Sequence, residues 1–213
     1  MDSDLLPLFP LELVLLPEEP LPLHIFEERY RMMIGECLKA KAAAKGQQEF
    51  GVVLLQGQAV SPVGCTARIV NLTRQYEDGR MDILTVGKRR FEILLTNEEK
   101  PYLQGAVDYF EDEGPDVPSD AAAEQAIERF REVMRKLRHA AEMPIHLPRP
   151  YRYLSFRLAS ALPLDLEFKQ QLLTLRNEPE RLTLVQRALE ILMSQLDRIQ
   201  VSQKKAGGNG HGR

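Results

Sequence analysis

Leu6-Pro7-Leu8-Phe9-Pro10-Leu11, Val14-Leu15-Leu16-Pro17 and Leu21-Pro22-Leu23-His24-Ile25-Phe26 lead directly into Glu27-Glu28-Arg29-Tyr30-Arg31-Met32-Met33-Ile34. Prolines at 7, 10, 17, 20 and 22 stand among the leucines. Each proline lacks a backbone donor and pushes its predecessor toward extended geometry, so this stretch cannot be a helix. It reads as short extended segments broken by turns, with apolar side chains on at least one buried face. The period then changes. Tyr30, Met33, Ile34, Cys37 and Leu38 follow the i, i+3, i+4, i+7, i+8 spacing of one apolar helical stripe. The spacing predicts a helix from Glu27 to about Lys45, with Gly46 as its stop.

Working outward, the next residues are strand-like. Phe50 to Leu55 is a compact apolar run, and Cys65 to Leu72 partly alternates. Asp78-Gly79 is a hairpin signal, because glycine accepts positive φ. Met81 to Val86 is the expected partner strand, and Gly87-Lys88 is read as a turn into a further strand, Arg90 to Leu95. Another strand, Tyr102 to Phe110, follows Pro101. Strands separated by turn residues at short intervals suggest a curled sheet or partly closed barrel.

The acidic, proline-bearing run from Glu111 to Pro118 is the expected boundary. Beyond it the period is helical. Ser119 caps an expected helix to about Ala141, with Ile127, Phe130, Met134 and Leu137 on its buried side. Short helices are read at Tyr151–Ala161 and Asp165–Arg176, with Asp165 as a cap. A last helix begins at Asn177-Glu178-Pro179. On it, Leu182, Val185, Leu189, Leu192, Leu196 and Ile199 step by threes and fours as an a/d seam, which packs on neighbouring helices or pairs with a second copy. The organisation read from sequence is a β-rich part over 1–118 with one amphipathic helix at about 27–45, a helical part over 119–204, and a disordered tail at 205–213.

Bulk properties exclude several classes. The 28 basic and 31 acidic residues give a net charge of −3, which favours neither nucleic acid nor an anionic membrane. No apolar run approaches the roughly 18 residues of a spanning helix. The acidic start Met1-Asp2-Ser3-Asp4 is unlike a secretory signal, so a cytoplasmic protein is expected. Cys37 and Cys65 stand apart with no C-x-x-C spacing, so neither a disulfide framework nor a structural zinc site is expected.

The proline-leucine lead with its following helix resembles the opening of the Lon N-terminal (LON substrate-binding) domain. Further blocks match in order: Val63-Gly64-Cys65-Thr66-Ala67-Arg68-Ile69, Asp78 to Ile93 with its Gly87-Lys88-Arg89-Arg90-Phe91 portion, Pro101-Tyr102-Leu103, and Leu164 to Leu173 followed by Glu180-Arg181-Leu182. The resemblance spans roughly Leu5 to Ile199. It implies an α+β protein: a PUA-like β-rich pseudo-barrel, then a helical bundle with a long C-terminal helix. In Lon proteases this region recruits protein substrates and helps subunits assemble, while other domains hydrolyse ATP and cut peptides. Here no G-x-x-x-x-G-K-[ST] phosphate loop occurs, and no protease domain is expected to follow. The expectation is a standalone LON-domain protein without enzymatic activity, catalytic residues, cofactor or metal.

Candidate sites follow from that expectation. Adjacent carboxylates such as Glu18-Glu19, Glu27-Glu28 and Glu98-Glu99 point apart on a helix or strand and do not converge as a catalytic pair. His24, His139, His146 and His211 have no ligand spacing. Ser155 and Ser160 lack a G-x-S-x-G elbow, and Cys65 alternates with Ala67 and Ile69 as a packed residue. Phe26, Glu28, Arg29, Met32 and Met33 are the expected protein- or peptide-binding residues, at the point where family members present a partner-contact surface. The implied partners are unfolded or client proteins and peptides, and a separate Lon-type protease, with a homodimer left open by the last helix. The alternative is a PUA-like RNA-binding protein using Lys88-Arg89-Arg90 or the basic residues of 129–138.

Overall fold

The computed structural model describes residues 5–42, 49–137, 147 and 149–208. Gly46, His139, His146, His211 and the outer ends of two expected helices lie outside them. The described elements are β1 (Leu6–Leu11), β2 (Pro20–Ile25), α1 (Glu28–Ala42), β3 (Glu49–Gln56), β4 (Ala59–Gln75), β5 (Met81–Asn97), β6 (Gln104–Phe110), α2 (Asp120–Leu137), α3 (Leu154–Ser160), α4 (Leu166–Thr174) and α5 (Glu178–Gly208). They form two compact units, Met1–Asp112 with Ser160–Arg176, and Glu113–Ala159 with Asn177–Arg213.

In the first unit the strand order is β2-β5-β4-β3-β1-β6, and β5 also pairs with β6, closing the sheet into a ring. Closure is thin at β1–β6, where Leu6 faces Gly105 and Pro7 faces Gln104, so the ring is not a true barrel. β1 pairs with β3 in parallel, and this pairing needs a crossover, which carries β2 and α1. Inside the ring Leu6, Leu8, Val53 and Phe91 form a buried cluster. Phe91 fits because Gly51 and Gly64 leave its ring room: a Cβ on either would lie 2.6 Å from its Cζ.

One expected turn is absent. Gly87 lies in the middle of β5, which runs unbroken from Met81 to Asn97. Its missing side chain serves a close approach instead. The 16–19 turn, with Glu18 at φ 65°, crosses β5 there, Glu18 N donating to Gly87 O and Gly87 N to Glu19 O, both at 2.9 Å. A Cβ on Gly87 would sit 2.1 Å from Leu16 O. The hairpin signal does form: Gly79 has φ +85° between β4 and β5.

α4 packs in the same unit as the strands. Asp165 caps it, accepting from Phe168 N at 2.7 Å, and Gln170 Nε2 donates to Val63 O at 3.0 Å. Arg90, buried on β5, donates to the carbonyls of Leu173 and Leu175 and pairs with Asp112 at 2.6 Å. The α4 end is thereby anchored to the sheet.

The second unit is helical. Ser119 caps α2, accepting from Ala122 N at 3.3 Å. The buried side of α2 is Ala123, Ala126, Ile127, Phe130 and Val133, whereas Met134 and Leu137 are half-buried. The stripe turns toward the alanines because small side chains let α5 approach closely, which bulk-based reading overlooks. Along α5, Leu182, Val185 and Leu189 are buried, Leu192 and Leu196 are half-buried and Ile199 is exposed. Only the first half of the seam is thus spent on packing within the unit. The helix continues through 205–208, which replaces the expected tail there, since a helix already nucleated by packing propagates at low cost. At its start, fully buried Arg181 and Glu178 pair at 2.7 Å and close on Ser155, whose Oγ donates to Glu178 Oε2.

Candidate protein-binding surface

The stretch from β2 into α1 is set by strand pairing. His24 lies opposite Asp82 of β5, and His24 Nδ1 is 2.5 Å from Asp82 Oδ1. Tyr76 Oη donates to the other carboxylate oxygen at 2.8 Å. His24 stacks on Phe26 at 6.0 Å and meets Tyr76 edge-on at 5.9 Å. The hydrogen bond from His24, then that from Tyr76, holds the Asp82 carboxyl below the usual range. Phe26, at the end of the row, is 60% exposed.

Glu27 accepts the first helical amides, from Tyr30 and Arg31. Glu28 and Arg29 are exposed on the first turn of α1, with Arg29 bound to Glu27 and lying 4.5 Å over the Tyr30 ring. Met32 is 43% exposed. Met33 does not belong to this surface: it is fully buried. One residue of helix turns a side chain by about 100°, so Met33 joins Tyr30, Ile34 and Cys37 inside while Met32 faces out. Of the lead, Leu15 and Leu16 are buried, and Leu21 and Leu23 half-buried.

The basic clusters are internally committed. Lys88 pairs with Glu18, Arg89 with Glu49, and Arg90 with Asp112. On α2, Arg129 pairs with Glu190, Lys136 with Asp197, and Arg131 and Arg135 with Glu128. A phosphate backbone would have to displace these carboxylates. Both cysteines are buried, and desolvation pushes the Cys37 thiol up to about 11 and the Cys65 thiol higher still, so neither is a ready nucleophile. Ser155 is sealed against Glu178 and Arg181, and among the described residues no histidine reaches it. Among the described residues no group of three or more His, Cys, Asp or Glu side chains is placed to hold a metal ion, and no helix is long and apolar enough to cross a membrane.

Residues 5–191 match the model of the ATP-dependent protease La (LON) substrate-binding domain. The chain belongs to this family. Its similarity to the Lon protease of Parabacteroides distasonis is 28% identity over 191 residues, 84% of this chain and 23% of that protein. With the Lon protease of Anaeromyxobacter dehalogenans it is 28% over 214 residues, 93% of this chain and 24% of that one. The chain therefore spans about a quarter of the length of these relatives. Among solved structures, a Lon N-terminal domain protein from Xanthomonas campestris superposes with TM-score 0.63 and 26% identity, covering 85% of this chain and 96% of the other. The N-terminal domain of a Mycobacterium avium complex Lon protease superposes with TM-score 0.64 at 17% identity, covering 88% and 98%, which shows the shared fold. The LON region present here is the family's non-catalytic, substrate-binding part.

The Tyr76–Asp82–His24 network was hidden in the sequence. Its members are 52 and 58 residues apart from His24 along the chain, and only the β2–β5 register joins them.

Proposed function

We propose that this LON domain is a protein- and peptide-binding module that recognises unfolded client segments without ATP, in the cytoplasm, as a recognition factor, adaptor or regulator in protein quality control. A separate Lon-type protease is its second partner. The observation that carries the reading is the pairing of family membership with large apolar side chains left outside the packed interior, Phe26 and Met32, flanked by Glu28 and Arg29. Both stand where the chain passes from β2 into α1.

The test is binding of a purified, permanently unfolded protein and its folded counterpart, without nucleotide, with intact mass read before and after. Binding to the unfolded form alone, uncut, and weakened about ten-fold by Phe26→Ser with Met32→Ser, is the expected result. Absence of interaction with both unfolded proteins and a Lon-type protease overturns the proposal, as does cleavage lost on a single serine or cysteine change.

A further inference from the structure

On the β2–β5–β4 side the sheet leaves two edges unpaired among the described residues, and both are unsuited to adding a strand. β2 pairs with β5 along its whole length, yet Pro20 and Pro22 have no N–H. The donors to β5 must therefore come from the alternate residues, which leaves the prolines on the open edge. β4 beyond Arg68 shifts register against β5 between Ile69 and Asn71 and again between Leu72 and Arg74. Two bulges within six residues twist that edge away from a straight partner. On this side of the sheet a guest segment has to be read by side chains on a face.

The outward face of β2–β5–β4 supplies one. Directly opposed residues share a face. The registers therefore set three rows: Pro20, Val86 and Arg68; Pro22, Leu84 and Asn71; His24, Asp82 and Arg74. The alternate positions Ile25, Met81, Ile83, Thr85 and Ile69 are buried, so these rows look outward, with Leu84 and Val86 half-buried and both prolines exposed. Rows repeat every ~6.6 Å along a strand, so the three span about five residues of an extended guest. Phe26, stacked on His24, extends the apolar strip at one end.

The β4 border of the face carries two guanidinium groups, Arg68 and Arg74. Both oxygens of Asp82 are engaged, by His24 and Tyr76, and both of Glu49, by Arg68 and Arg89. Two guanidinium groups share Glu49. Arg74 lies 4.6 Å over the Tyr76 ring, keeping N–H donors for a further partner. The face offers apolar surface and, along β4, guanidinium donors.

Resting on the peptide-binding reading above, we infer that this face selects extended segments in which apolar residues alternate with acidic ones. The apolar side chains lie over Pro20, Pro22, Leu84 and Val86, and the carboxylates meet Arg68 and Arg74. The experiment is fluorescence anisotropy with three nine-residue peptides that share their apolar residues and carry Glu, Gln or Lys between them. Each exposed ion pair is worth ~0.2–1 kcal/mol, so with two such pairs the Glu peptide should bind roughly 2- to 30-fold tighter than the Gln peptide, with the advantage shrinking in salt. Arg74→Glu, an exposed change checked by thermal melting, should move the preference to the Lys peptide, and Asn71→Glu should weaken the Glu peptide alone. Equal binding of all three peptides, or a preference unmoved by Arg74→Glu, overturns this inference while leaving general peptide binding in place. Failure to bind any unfolded protein overturns the broader reading instead.

Discussion

Replacing Arg90 tests how α4 is held to the strands. Its guanidinium is 2% exposed and the Asp112 carboxylate 3% exposed, at 2.6 Å. It also donates to two carbonyls, of Leu173 and Leu175, and lies 4.7 Å over the Phe110 ring. Arg90→Met keeps much of the stem but leaves a buried carboxylate without its guanidinium, a loss of about 3–5 kcal/mol, with about 1 kcal/mol more for each carbonyl that cannot find water. Urea unfolding at pH 7, with an unchanged m-value, is the assay. Arg90→Met with Asp112→Leu should recover part of the first cost, because the carboxylate that loses this guanidinium is removed with it. A single variant within about 1 kcal/mol of wild type, or a double variant no better than the single, refutes the reasoning.

Gly87→Ala should cost about 2–3 kcal/mol, because the new Cβ meets the backbone oxygen of Leu16 rather than a yielding side chain; hydrogen exchange should show the Glu18 and Gly87 amides losing protection, and retained protection would contradict the close-approach account. Lys100, then Tyr102, hydrogen-bonds Glu36 and holds its carboxyl below the ordinary 4.5, while the Glu36 and Tyr102 contacts push Lys100 up to about 12. The depressed carboxyl stabilises above its unfolded pKa and is lost as pH falls through the folded one; the raised amine stabilises below 10.5 and is lost as pH rises through about 12. Glu36→Gln should remove ~0.2–1 kcal/mol between those limits and nothing at pH 2, checked by melts across pH.

The β-strands at the sequence's front were legible because proline forbids helix there and alternation does the rest. α1 was legible from its stripe, down to the burial of Tyr30, Ile34 and Cys37. The same stripe placed Met33 inside, so its separation from Met32 was available from the helical period alone. Gly87 misled because a glycine demanded by a crossing backbone and one demanded by a turn look alike in sequence. The outward face of β2–β5–β4 was not legible, since residues 20–24, 68–74 and 82–86 become neighbours only through ladder register.

By itself the amino-acid order determined which segments extend, which coil, and which family the chain joins, for these depend on local sterics and on side-chain period. Tertiary structure alone decided that β5 passes Gly87 without turning, that Lys88, Arg89 and Arg90 spend their charge on Glu18, Glu49 and Asp112, and which apolar residues remain outside. The physical reason is range: a hydrogen bond or ion pair between residues far apart in the chain is set by register and closure, which no short window of residues contains.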